Sequence, residues 1–223
     1  MIRFLWLVLA LLMPMAVQAQ DRLVVMSFNV RYPSPSDGEN IWEKRRDLFV
    51  ETVAAAAPDV IGTQELFQLQ GDYLVGKLPG YSWFGIDRRG GHADEHMGVF
   101  YRRDRLKLVE HGDFWLSDTP DKVASISWGN IFPRMVTWGL FETRAGKRFY
   151  LLNTHFPYRA EDEAAREKCA ELIRKRIAAL PKGVPVVLTG DFNTVPESTA
   201  HALLGETLAD ARAAVRPTGP EAT

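Results

Sequence analysis

The sequence predicts an α/β fold with a core on both faces of its sheet. Three observations carry this. Short apolar, β-rich runs recur along the chain, two amphipathic stretches with helical spacing are interleaved with them, and several of the runs stop at a polar residue. The elements follow in order. Leu23 to Val30 reads Leu-Val-Val-Met-Ser-Phe-Asn-Val, a strand ending in Asn29. Trp42 to Ala57 reads as a helix, with Trp42, Phe49, Val53 and Ala56 on one face and Pro58 closing it. Asp59 to Glu65 is a short apolar run that delivers Glu65. Gly98–Arg102, Val136–Thr143 and Phe149–His155 read as further strands. Arg144-Ala145-Gly146-Lys147 is a hairpin signal between the last two, and Asn153 and His155 lie at the end of the last. Ala164 to Leu180 is the second helix, with Pro181 beyond it. Val186-Val187-Leu188-Thr189-Gly190-Asp191-Phe192-Asn193 reads as a fully buried strand that presents Asp191 and Asn193 past its carboxyl end, where open α/β folds build their sites.

Composition sets limits on function. Residues 1–19 place Arg3 before an apolar stretch from Phe4 to Val17, followed by Val17-Gln18-Ala19, a small-residue cleavage site. Roughly 14 apolar residues fall short of the about 20 that span a bilayer. A cleaved signal peptide and a secreted or periplasmic protein are therefore expected, with an uncleaved anchor as the alternative. The chain has 27 basic and 28 acidic residues and no lysine-rich run, which argues against a tight nucleic-acid binder. One cysteine, Cys169, excludes an intramolecular disulfide and a thiolate metal cluster. It falls on the apolar stripe of the second helix with Ala165, Leu172, Ile173 and Ile177, as a buried structural thiol would.

A lone Asp-x-Asn is ordinarily an Asx turn closing a strand. Four polar strand ends in one chain point instead to a shared site. Asn29, Glu65, His155, Asp191 and Asn193 offer oxygen ligands, an imidazole and amide donors, a set suited to a hard divalent cation and a phosphoryl group. His92, Asp94, Glu95 and His96 suggest zinc, but a Gly-rich stretch without helical spacing reads better as a solvated substrate loop. Trp83, Trp115 and Trp128 are either stacking platforms or, by default, core.

Phe28-Asn29-Val30-Arg31, Gln64-Glu65, Asn153-Thr154-His155-Phe156 and Gly190-Asp191-Phe192-Asn193, in this order, resemble the deoxyribonuclease I-like endonuclease/exonuclease/phosphatase superfamily. Gly98-Val99-Phe100-Tyr101-Arg102 and Pro133-Arg134-Met135-Val136-Thr137-Trp138 add to the likeness, which runs from about Leu23 to Asp210. The resemblance implies a four-layer α/β sandwich, two packed mixed sheets flanked by helices. It implies a hydrolase of phosphoester bonds, phosphodiesterase or phosphatase, using Mg2+ or Mn2+ and in-line attack of water. Glu65 and Asn29 are then expected at the metal, with Asn29 either assisting it or fixing Glu65. His155, Asp191 and Asn193 are expected in catalysis: His155 on the phosphate, Asp191 orienting or deprotonating water, Asn193 holding a phosphate oxygen. Arg134, Tyr101 and Glu95 are expected around the substrate, which is a small molecule, a lipid headgroup or nucleic acid. No protein partner is implied, and a monomer is expected. The alternatives are a secreted nuclease of the same fold and a catalytically inactive binding module. The family pattern closes with a strand carrying Asp and then Ser-Asp-His, and no Ser-Asp-His occurs here. Residues 20–223 are therefore expected to form the domain without its C-terminal strands, leaving the activity of the chain itself open.

Overall fold

Alternation along the central strands sorts the apolar residues into two sheets, each with a buried layer on both faces. The computed structural model describes residues 22–215. In order, the elements are β1 (Val25–Asn29), α1 (Trp42–Ala56), β2 (Val60–Gln64), α2 (Gln68–Lys77), β3 (Tyr81–Phe84), β4 (Val99–Arg102), β5 (Leu106–Trp115), β6 (Met135–Thr143), β7 (Arg148–His155), α3 (Glu163–Ala178), β8 (Val186–Asp191), α4 (Thr199–Gly205) and α5 (Ala211–Val215). One sheet has the order β1-β2-β4-β3 and the other β5-β6-β7-β8. β1–β2 and β7–β8 are parallel pairs and the remaining pairs are antiparallel, so both sheets are mixed. The expected four-layer sandwich is what forms.

β7 shows how one sequence serves two cores. Tyr150 and Leu152 face the helix layer with Cys169, Ile173 and Ile177 of α3, while Phe149 and Leu151 face the other sheet with Val60, Val99 and Phe141. The second layer of helices buries Trp42, Phe49, Val53 and Leu74 against Ile61 and Phe100. α1 ends where Ala57 turns left-handed (φ 43°) and its N–H returns to the Val53 carbonyl, just before Pro58. Cys169 is fully buried on the α3 stripe, as expected, and burial pushes its thiol pKa up. The expected hairpin forms between β6 and β7, closed by Gly146 N–H to Thr143 O and Thr143 N–H to Lys147 O.

Two expectations change. Val186, Val187 and Leu188 are half-buried rather than fully buried, because β8 is the outer strand of its sheet and pairs with β7 alone. Short or irregular elements (α2, β3, β5, α4 and α5) carried too little periodicity to be read from sequence. The leader-like residues 1–19, and residues 216–223 at the other end, lie outside the described residues.

Candidate active site

Parallel pairing places Asn29 beside Gln64 and His155 beside Asp191, so the ends of β1, β2, β7 and β8 meet at one edge of the sandwich. Asn29 joins the two sheets there. Its Nδ2 donates to Glu65 Oε1 at 2.9 Å and to Asp191 Oδ2 at 3.0 Å, while its Oδ1 accepts from the Arg31 N–H at 2.9 Å. Of the two expected roles for Asn29, fixing Glu65 is the one its hydrogen bonds perform. Glu65 Oε2 accepts from the Tyr32 N–H at 3.1 Å, and Asp191 Oδ1 from the Asn193 N–H at 3.1 Å. The Asn193 side chain donates to the Phe156 carbonyl at 3.1 Å, which ties the β8 end to the β7 end.

Backbone strain gathers at these positions. Arg31 (φ 56°), Glu65 (φ 59°) and Asn193 (φ 47°) are left-handed non-glycine residues, each costing roughly 1–2 kcal/mol. Their surroundings hold them in place. The Arg31 carbonyl accepts from Gln70 Nε2 at 2.9 Å and from the Arg45 guanidinium, which also caps the Val30 carbonyl at 2.6 Å. Nothing in the sequence pattern singled out Arg45 or Gln70, because each acts through a fold-dependent contact with one loop.

His155 is 6% exposed. Its Nε2 lies 3.8 Å from Asp191 Oδ2 and its Nδ1 has no hydrogen-bond partner. Burial, and then the nearby Arg134 charge, lower its pKa to about 4 despite Asp191 and Glu65, so the ring is neutral at pH 7. Arg134, one residue before β6, is 5% exposed. Its guanidinium meets only the Tyr158 ring, 5.9 Å from the centroid. Among the described residues no carboxylate pairs with it within 4.0 Å, and burial lowers its pKa. A desolvated cation held without a direct ion pair, with Glu95 only within electrostatic reach, is costly to keep, and an anionic ligand relieves that cost.

The loop at Asp87–His96 exposes residues 89–93, as expected, but is anchored by the buried Asp87, Arg88 and His96. Asp87 accepts four backbone N–H groups, from Arg89 and Gly91 on Oδ1 and from Ala93 and Asp94 on Oδ2. Burial alone would raise its carboxyl, but those donors outweigh it and hold the pKa below the ordinary value. His96 is fully buried between the Leu66 carbonyl (3.0 Å) and His92 (3.2 Å). No group of three or more His, Cys, Asp or Glu side chains among the described residues converges to hold a metal, so the zinc reading gains nothing. Arg88 reaches from this loop to Asp94 (2.9 Å) and Glu95 (3.0 Å) and stacks 4.6 Å over Phe132. Glu95 lies within electrostatic reach of Glu65 and Arg134.

Two residues are not brought to the site. Tyr101 pairs with Val60, four residues before Gln64 and thus about 13 Å along the strand from it. It packs in the intersheet core with Phe84 and Phe141. Asn153 lies one layer too deep, fully buried between the sheets. Its Oδ1 accepts from Gln64 Nε2 (2.8 Å) and Thr189 Oγ1 (3.0 Å), and its Nδ2 donates to the Thr63 carbonyl (2.7 Å). Trp115 and Trp83 are structural: Trp115 Nε1 donates to the Arg88 carbonyl, and Trp83 stacks on Phe100, while the half-buried Trp128 donates to Asp118.

Two packed mixed sheets with a polar site at their strand ends define the class, and comparison supplies the family. The model of the Endonuclease/Exonuclease/phosphatase family matches residues 26–222, and the chain belongs to that family. It is similar to a mannosyl-6-phosphatase of Bacteroides thetaiotaomicron, with 34% identity and a TM-score of 0.78 over 83% of this chain and 70% of that one. A second Bacteroides thetaiotaomicron protein of the family gives 34% and 0.78 over 82% and 68%. An uncharacterized Acanthamoeba polyphaga mimivirus protein, L388, is 32% identical over 172 residues, 69% of this chain and 59% of its own. The chain spans 43% and 45% of two further curated relatives.

Proposed function

We propose that this protein hydrolyses a phosphate ester by in-line attack of water, assisted by Mg2+ or Mn2+. The observation that carries the proposal is the single carboxamide of Asn29 joining Glu65 and Asp191, beside a buried arginine with no carboxylate within 4.0 Å among the described residues. Two carboxylates with few other ligands suit a hard cation that keeps several of its waters, as Mg2+ does. Glu65 and Asp191 would hold it, and the bound cation would supply charge neutralisation on phosphoryl oxygens. The remaining work falls to the chain. Arg134 presents donors to a phosphate oxygen and gains the anion it lacks. His155, neutral at pH 7, offers a hydrogen bond to the charge that develops on the phosphoryl group. Asp191, fixed through both oxygens by Asn29 and Asn193, is poised to orient or deprotonate the attacking water.

The likeness to a mannosyl-6-phosphatase at 34% identity favours a monoester. Near-neutral charge, 27 basic against 28 acidic residues, counts against the nuclease alternative. The leader-like first 19 residues support export, secreted or periplasmic, as part of the same reading. The test is hydrolysis of p-nitrophenyl phosphate and its bis ester with and without Mg2+ or Mn2+. Activity is expected to disappear in excess EDTA, and Asp191→Asn should lower turnover about 100-fold or more. Full activity in EDTA ends the metal reading.

A further inference from the structure

Within the site, one carboxylate has no part in the chemistry proposed above. Glu95 sits in an extended segment whose next residue, His96, bridges to Leu66 just past β2, its N–H donating to the Leu66 carbonyl at 2.7 Å. Glu95 and Met97 fall on the same side of that segment. Met97 packs against Trp115 and Met135, which puts Glu95 on the side of the start of β6, within electrostatic reach of Arg134. The carboxylate is held firmly. Arg88 Nη1 meets Oε2 at 3.0 Å, Arg88 itself is pinned by Asp94 at 2.9 Å and stacked on Phe132, and the Arg88 N–H donates to the Glu95 carbonyl at 2.9 Å. Oε1 takes part in no hydrogen bond or ion pair among the described residues, although the side chain is only 13% exposed.

A second negative charge beside a phosphate site repels the substrate unless it accepts hydrogen bonds from it. A carboxylate is acceptor-only, so its partner must be a donor, and a hydroxyl attached to the same molecule as the phosphate meets that requirement without adding charge. We propose that Glu95 is a specificity-determining residue that accepts hydroxyl hydrogens from the alcohol portion of the substrate, with Arg88 as its positioning residue. The substrate class is then a phosphate ester of a polyhydroxylated alcohol rather than of a simple alkyl or aryl alcohol. This rests on the phosphoester-hydrolase reading of the same site.

The test compares two primary esters that differ in their hydroxyls, D-glucose 6-phosphate and cyclohexylmethyl phosphate. For the unaltered protein kcat/KM should favour the hydroxylated ester. Glu95→Ala and the shape-preserving Glu95→Gln should lower kcat/KM for it, the former by about 10- to 100-fold, the scale for an unmade hydrogen bond to a charged group. The fall for cyclohexylmethyl phosphate should be about tenfold smaller than that for the hydroxylated ester. Arg88→Lys should reproduce part of the loss, because it frees Glu95 without removing it. An equal fall on both esters, or an unchanged preference in Glu95→Ala, overturns the proposal. If neither ester is turned over with any cation, the hydrolase reading has failed. Calorimetric binding of the two esters in Mg2+ then decides the specificity claim by itself: equal affinity for both refutes it.

Discussion

Gly62→Ala should damage this protein far more than a single methyl ordinarily does. A Cβ at Gly62 would lie 2.0 Å from Thr189 Oγ1 and 2.5 Å from Asn153 Oδ1, both buried side chains on the facing sheet. Neither can move without breaking bonds. Thr189 donates to Asn153 at 3.0 Å, Gln64 donates to the same oxygen at 2.8 Å, and the Asn153 amide donates to the Thr63 carbonyl at 2.7 Å. Overpacking a dense core costs about 1–3 kcal/mol, and a buried polar group left without its partner costs about 1–3 kcal/mol more. The expected loss is therefore about 3 kcal/mol or greater, which in a domain of this size lowers the melting temperature by about 6–12 °C. The control is Gly76→Ala in α2, where an added Cβ meets nothing within 4 Å. It should be neutral or stabilising by up to about 1 kcal/mol. Urea titration of both variants against the parent measures the difference, and a Gly62→Ala protein within 1 kcal/mol of its parent would refute the reasoning.

Arg134→Met should raise stability in phosphate-free buffer, by about 1 kcal/mol or more, while weakening phosphate binding, because it removes a desolvated charge that the protein leaves unpaired. Lower stability together with unchanged phosphate affinity would contradict that. His155 gives a pH signature in metal-free protein. Its folded pKa of about 4 lies below the ordinary 6.5, so the unfolded chain binds the extra proton first and stability falls as pH drops from about 6.5 towards 4. The full span is about 3 kcal/mol. His155→Gln should flatten this part of the profile in urea titrations at pH 7, 5.5 and 4.5, and an unchanged slope would count against the neutral imidazole. Cys169 should stay unreactive to a thiol reagent until unfolding, and Cys169→Ala should leave turnover unchanged with a small loss of stability. A folded mutant without activity would show that the thiol does more than pack.

What the sequence made legible, and what it hid, divides along a physical line. Residue type and period-2 alternation identified Asn29, Glu65, His155 and Asp191, because a polar residue at the end of an apolar run needs a reason to be there. Alternation gives the face of a strand but not the depth along it, so it could not show that Tyr101, placed near the substrate by the family resemblance, lies deep in the intersheet core. Nor does it say which strand lies outermost, and so the run at Val186 looked fully buried. Arg45 and Asp87 could not be read because each is defined by backbone groups, and Arg88 because it is defined by the Asp94 and Glu95 carboxylates, all of which only the folded chain brings near. The depth of Asn153 shows how the site is built. Asn153 stands two residues before His155 and Thr189 two before Asp191, while Gln64 stands one before Glu65. The buried network is thus a layer about 7 Å beneath the site on β7 and β8, and about 3 Å beneath it on β2. It fixes how far the two sheets stand apart, and that spacing is what lets one Asn29 amide reach both Glu65 and Asp191. Misplacement of reacting groups by about 1 Å costs on the order of 100-fold in rate. Gly62→Ala should therefore lower turnover even at temperatures where it remains folded, and a folded Gly62→Ala protein with full kcat would mean that the strand ends set the site geometry without the layer below.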